Sequence, residues 1–218
     1  MPLLSFHTQF ELELDEWTRV FEELATTRTH TGAADFTIEE ECLLEGLLSR
    51  IWQSWCRFCR STLVESCMGT VTVSGDLVPA LPDAISEVHV SKAAMRAKKQ
   101  QQPFWLGTNT ELWKEPTWGD TDGLLDIVLR LYPSNHSTLT GMCTLANVGS
   151  AILQAARNAC AHDNVETRAN LIAQSTAYTT FPVTHPIQSL FWVHTGSSAY
   201  LLPHALEALR DAAIYVVL

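Results

Sequence analysis

Residues 157–162 read Arg-Asn-Ala-Cys-Ala-His, inside a stretch whose apolar residues recur at helical spacing. The hexapeptide puts a permanent cation, a carboxamide and an imidazole on the polar side of an otherwise apolar rod. A guanidinium can clamp the non-bridging oxygens of a phosphate through two parallel N–H donors. An imidazole gains and loses protons near neutral pH, so it can act as general base or general acid, typically worth about 10²–10⁴-fold in rate. Asn158 can orient that imidazole or donate to the phosphate. Together these groups can move a proton and stabilise a charged phosphorus centre without a metal ion.

On a helical wheel at about 100° per residue, Val148, Ile152, Leu153, Ala155, Ala156, Ala159 and Cys160 fall on one broad apolar arc. Arg157 lies on one edge of the opposite face, while Asn158 and His162, four residues apart, stack as neighbours on the other. Some 140° separates Arg157 from His162, roughly what a long guanidinium can partly bridge over the small Ala161. A purely structural role is the alternative: Arg157 paired with Asp163 or Glu166, and Asn158 and His162 on a solvated face or capping the helix. An arginine followed loosely by a histidine says nothing by itself. Arg130 and His136 form such a pair with Pro133 between them. Asparagine directly after the arginine, at this fixed spacing, is what makes the pattern selective.

In that full form, Arg157-Asn158, three further residues and His162 near the end of a helix, the motif resembles the signature of the HEPN superfamily. The aromatic run Trp52-x-x-Trp55-x-x-Phe58-Cys59-Arg60 is similar to the early helix of some bacterial members. The resemblance implies an RNA-binding hydrolase: a metal-independent endoribonuclease that leaves a 2′,3′-cyclic phosphate and acts as a toxin or antiviral defence effector. It implies Arg157, Asn158 and His162 as the catalytic residues, with no cofactor and no metal. RNA would be the substrate, and an antitoxin or regulatory protein a further partner. Cleavage needs the 2′-hydroxyl deprotonated and the leaving 5′-oxygen protonated, whereas one chain supplies one such histidine. A homodimer that presents His162 twice meets that need. Two alternatives belong to other classes: a non-catalytic HEPN-like module binding RNA, nucleotide or a protein partner, and a helical adaptor in which the hexapeptide is accidental.

The net charge of −10 excludes a surface coated in phosphate-binding positive charge, so a nucleic-acid site has to be local. Lys92, Arg96, Lys98 and Lys99 form such a local strip, and Trp105 or Trp113 could stack on bases. The competing reading is a solvated helix face beside core aromatics.

The elements that must carry these groups are helical. Phe10, Leu14, Trp17, Phe21 and Leu24 predict a helix over about residues 9–28. Thr37 and Glu40 form a candidate capping box for a second, long helix through Leu44, Leu48, Trp52, Trp55 and Leu63, ending near Gly69. Residues 70–118 change character: Thr-Val-Thr-Val alternates like a short strand, and a Trp-rich, Pro-bounded loop follows. Helices resume from Asp120 to Pro133, then over about 143–162, about 164–177 and from Ser198 to the end. The expected fold is an all-α, up-and-down, HEPN-like bundle. It forms a single domain over 1–218, with an elaborated connection at about 70–118 that can hold short strands.

With 46% hydrophobic and 17% charged residues, the chain has the composition of a folded globular protein. No apolar run approaches the roughly 20 residues of a bilayer span, and the first residues lack a basic, cleavable leader, so a cytoplasmic protein away from membranes is expected. Six cysteines then read as reduced core thiols. Cys56-x-x-Cys59 is half a zinc site without its second pair, and His185, His194 and His204 show no ligand spacing, so no metal is expected.

Overall fold

A computed structural model describes residues 3–27, 29–107 and 112–218. Among these residues there are seven α-helices: α1 (Leu3–Thr27), α2 (Ile38–Met68), α3 (Glu87–Lys98), α4 (Thr121–Leu131), α5 (His136–His162), α6 (Val165–Gln174) and α7 (Leu201–Val217). The strands are four two-residue pieces, β1 (Thr70–Val71), β2 (Leu77–Val78), β3 (Tyr178–Thr179) and β4 (Val193–His194), paired antiparallel as β1–β2 and β3–β4. The fold class is therefore an all-α bundle with a small irregular insertion, as the apolar spacing predicts.

The chain divides into two compact units. The first comprises Met1–Glu11, Ser54–Asn147 and Arg210–Leu218. Its core is built on Trp55, Phe58, Cys59 and Leu63 of α2, with Leu124, Ile127 and Val128 of α4 and Leu139 and Met142 of α5, all buried. Phe10 stacks on Phe58 with ring centres 4.9 Å apart, and the Trp55 indole N–H donates to the Gly119 carbonyl at 3.2 Å. The insertion belongs to this unit. It holds the β1–β2 hairpin, in the register Thr70↔Val78 and Val71↔Leu77, and then α3. Ser86 caps α3 by accepting the His89 N–H, and the small face of Ala93, Ala94 and Ala97 is buried where α3 packs on α4. Arg60 anchors the insertion: it donates to Glu115 (2.7 and 2.9 Å), Glu87 (2.6 Å) and Ser91 (3.2 Å). Burial would raise the Glu115 carboxyl, but hydrogen bonds from Arg60, Ser91 and Trp118 outweigh it and hold the group below its ordinary range.

The second unit comprises Leu12–Gln53 and Val148–Leu209. Here α2 begins with the expected reciprocal cap: the Thr37 N–H donates to the Glu40 carboxylate at 2.8 Å, and the Glu40 N–H to the Thr37 hydroxyl at 3.3 Å. An aromatic cluster fills the interior. Phe21 meets Phe191 at 4.8 Å, and the buried His30 ring lies 4.7 Å from Phe36 and 4.4 Å from Phe191. Helices α5 and α7 touch at Gly149, where a Cβ would stand 2.6 Å from the Ala205 carbonyl oxygen, so only glycine permits this approach.

Several features depart from the sequence reading: α1 starts at Leu3, six residues before the expected 9, and Cys42, read as a core thiol, is exposed. Helix α5 starts at His136, seven residues before the expected 143, because Leu139 and Met142 are fully buried and draw this polar-looking turn into the helix. Val148, placed on the apolar arc, is 62% exposed. The longer α5 has the length and composition to cross a membrane, but 56% of its apolar window is buried within the fold, which accounts for its apolar character.

Candidate functional site

Helix α5 delivers the Arg-Asn-x-x-x-His motif to its own C-terminal end. Ile152, Leu153, Ala155, Ala156 and Ala159 are buried and fix which way the last three turns face. The helix stops at His162 because Asn164 begins the next one: its side-chain oxygen accepts the N–H groups of Glu166 and Thr167, both at 3.0 Å. Asp163, in the two-residue link, is taken by the Arg168 guanidinium, which also donates to the Thr184 carbonyl at 2.9 Å. That pairing holds the Asp163 carboxyl below its usual range.

Arg157 is exposed, Asn158 half-buried and His162 exposed. The Arg157 guanidinium donates to the Asn158 amide oxygen at 3.3 Å. Among the described residues it has no carboxylate partner: Asp163 is held by Arg168, and Glu166 makes no ion pair with Arg157. The purely structural pairing considered from sequence is therefore not the one formed. His162 follows Arg157 by five residues, about 7.5 Å along the helix axis. Arginine, amide and imidazole thus share one solvent-facing helix end, the carboxamide already turned toward the guanidinium. Such an arrangement can bind an anion and exchange a proton with it.

The expected RNA-contacting residues lie in the first unit. Lys92, Arg96 and Lys99, with Met95 and Gln101, line a depression of about 70 Å³. Arg96 Nε donates to the Pro103 carbonyl at 2.8 Å, while Lys98 turns away to Asp120 at 3.2 Å. Trp105 is half-buried and meets His89 edge-to-face at 5.3 Å. The open indole is Trp113, 80% exposed, with the Lys114 ammonium 4.7 Å over its ring.

The second unit holds a half-open apolar cavity of about 540 Å³, lined by Leu171, Ile172, Phe181, Pro182 and Trp192 among others, with Arg168, the partner of Asp163, in its wall.

Two clusters carry chemistry that sequence spacing does not reveal. Glu45, Cys160 and His185 place their ligating atoms within 4.8 Å of one another, although 115 and 25 residues separate them along the chain. The second gathers Tyr178, His194 and His204. The two imidazoles stack with centres 3.8 Å apart, and Tyr178 OH meets His204 Nδ1 at 2.8 Å. Burial and the neighbouring His194 ring lower the His204 pKa, and burial pushes the Tyr178 phenol up to about 12. The lack of ligand spacing among His185, His194 and His204 thus hides two separate groupings. The partners that could have flagged them, Glu45 and Tyr178, sit in unremarkable sequence.

The chain matches no protein-family profile, no curated protein sequence and no solved structure.

Proposed function

We propose that the end of α5 is the active centre of a HEPN-like, metal-independent endoribonuclease, working as a homodimer in a toxin or antiviral-defence role. The observation that supports it is the Arg157 guanidinium, exposed and free of any carboxylate among the described residues, on the same helix end as an exposed imidazole. A guanidinium already neutralised by Asp163 would be a poor phosphate ligand; this one keeps its fork of donors for an incoming anion.

In the proposed reaction, one His162 takes the proton of the ribose 2′-hydroxyl as its oxygen attacks the adjacent phosphorus. A second imidazole, from the partner copy, gives a proton to the departing 5′-oxygen. Arg157 bonds the non-bridging oxygens as charge builds on phosphorus, and Asn158 holds the guanidinium in place. The products are a 2′,3′-cyclic phosphate and a 5′-hydroxyl. The apolar cavity that shares Arg168 with Asp163 would give a flanking base a surface to rest on, at Phe181.

The test is incubation of the purified chain with total cellular RNA, with no divalent ion added, followed by sequencing of the new ends. Cyclic-phosphate ends should appear, and His162→Ala should abolish them while circular dichroism stays unchanged. Undiminished cleavage by His162→Ala overturns the reading. RNA binding without cleavage by the wild type favours a non-catalytic module instead. Sedimentation should show a dimer, since a strictly monomeric active enzyme would remove the second imidazole.

A further inference from the structure

The Glu45, Cys160 and His185 cluster is independent of the ribonuclease reading. Cys160 and His162 are two residues apart, about 200° around the helix, so they face opposite sides of α5.

Three separate segments bring the ligands together: the first third of α2, the end of α5 and the residue that caps the 3-10 turn Pro186–Phe191. His185 Nε2 lies 3.2 Å from a Glu45 carboxylate oxygen, and Cys160 Sγ completes a triangle with no side longer than 4.8 Å. With metal–ligand bonds of about 2.0–2.3 Å, neighbouring ligands of a tetrahedral ion stand about 3.3–3.6 Å apart. The Glu45–His185 side already matches that edge, and Cys160 has to close by about 1.5 Å at most, within reach of a χ1 adjustment. All three residues are half-buried, which leaves an entry path and room for water as a fourth ligand.

Two ties hold the frame without a metal. Gln188, on the turn that His185 caps, donates to Glu41 at 2.6 Å, and Glu41 is one helical turn before Glu45. Arg168 links Asp163, just after α5, to the carbonyl of Thr184, just before His185. The site is therefore set up by hydrogen bonds that the ligands themselves do not make.

We propose that Glu45, Cys160 and His185 bind one Zn²⁺ ion that fastens the end of α5 to α2 and to the His185 turn. One thiolate, one carboxylate and one neutral imidazole suit borderline-soft zinc better than calcium or magnesium, which prefer oxygen ligands alone. Two anionic ligands neutralise the ion, and the thiol proton passes to solvent as the Zn–S bond forms. The imidazole keeps its one proton, which moves to Nδ1 and releases the long 3.3 Å contact that Nδ1 now accepts from the Ile187 N–H. A nucleophilic-cysteine reading fits less well. Burial, Glu45 and Asp163 push the free Cys160 thiol up to about 12, and His185 turns its Nε2 to the carboxylate.

Titration of the full chain with Co²⁺ as the probe tests this. One equivalent should bind, with a near-ultraviolet thiolate-to-cobalt band and tetrahedral visible bands, and Zn²⁺ should displace it. The thiolate band should vanish in Cys160→Ser and persist in Cys42→Ser. Glu45→Gln, a near-isosteric change at a half-buried side chain whose fold should survive, should weaken binding by about tenfold or more. A wild-type chain that binds no Co²⁺ at micromolar concentration, a thiolate band that survives Cys160→Ser, or equal affinity in Glu45→Gln overturns the proposal. None of these readouts depends on RNA cleavage, so either proposal can fail alone.

Discussion

Arg60 and Arg157 both project from long helices, yet their surroundings are opposite. The Arg60 guanidinium is saturated, with two carboxylates and a hydroxyl around it and only a fifth of its side chain exposed. Arg157 has one long contact to a neighbouring amide and otherwise faces solvent. An arginine that holds a fold is surrounded by its counter-charges; one left without them keeps its donors open, as the proposed role of Arg157 requires. Net charge and arginine content do not separate the two cases. The position of the nearest aspartate does, and at the end of α5 that aspartate belongs to Arg168.

The sharpest way to break this contrast is at the level of activity. His162→Ala should lower RNA cleavage by about 10²–10⁴-fold with an unchanged unfolding midpoint, measured side by side on the same protein. Arg157→Lys should keep part of the activity, because the charge stays and the planar fork is lost. Arg60→Ala should do the reverse. It leaves Glu115 half-buried without its main donor and should cost about 3 kcal/mol in urea unfolding, with the α5 end unaffected. An Arg60→Ala protein as stable as wild type would remove the structural half of the comparison.

Gly149→Ala should be nearly as damaging as losing Arg60, at about 2 kcal/mol, since its new methyl group would meet the Ala205 backbone oxygen rather than a side chain able to yield. The smallest effect is in pH. The His204 pKa is lowered in the folded state, so the neutral ring is favoured by folding. Its contribution is therefore fully present above the unfolded value near 6.5 and lost as pH falls below it through the folded value. Urea midpoints should decline across that window, and His204→Gln should flatten the decline. An unchanged slope would mean that the stacked pair is not the titrating element.

Most of the helical framework was legible in the residues. Long apolar side chains at three and four spacing marked α1, α2 and α4, and the Thr37–Glu40 cap formed as its two side chains predict. Where small residues carry the packing, the signal fades. Helix α3 buries alanines, which a hydrophobic pattern hardly registers, and the first turn of α5 hides Leu139 and Met142 among hydroxyl residues and a glycine. The Arg157–His162 motif could be found because one helix carries all of it. The Glu45–Cys160–His185 grouping could not, because its three members converge only after α2, α5 and a late turn have packed.

The bare contact at Gly149 has a further consequence. A glycine pressed against a carbonyl leaves no gap for a side chain, so at this point α5 and α7 stand as near as two backbones can. Groups mounted on the following turns ride on a helix rather than on a loop. Their bearing is fixed by the packing of the two rods.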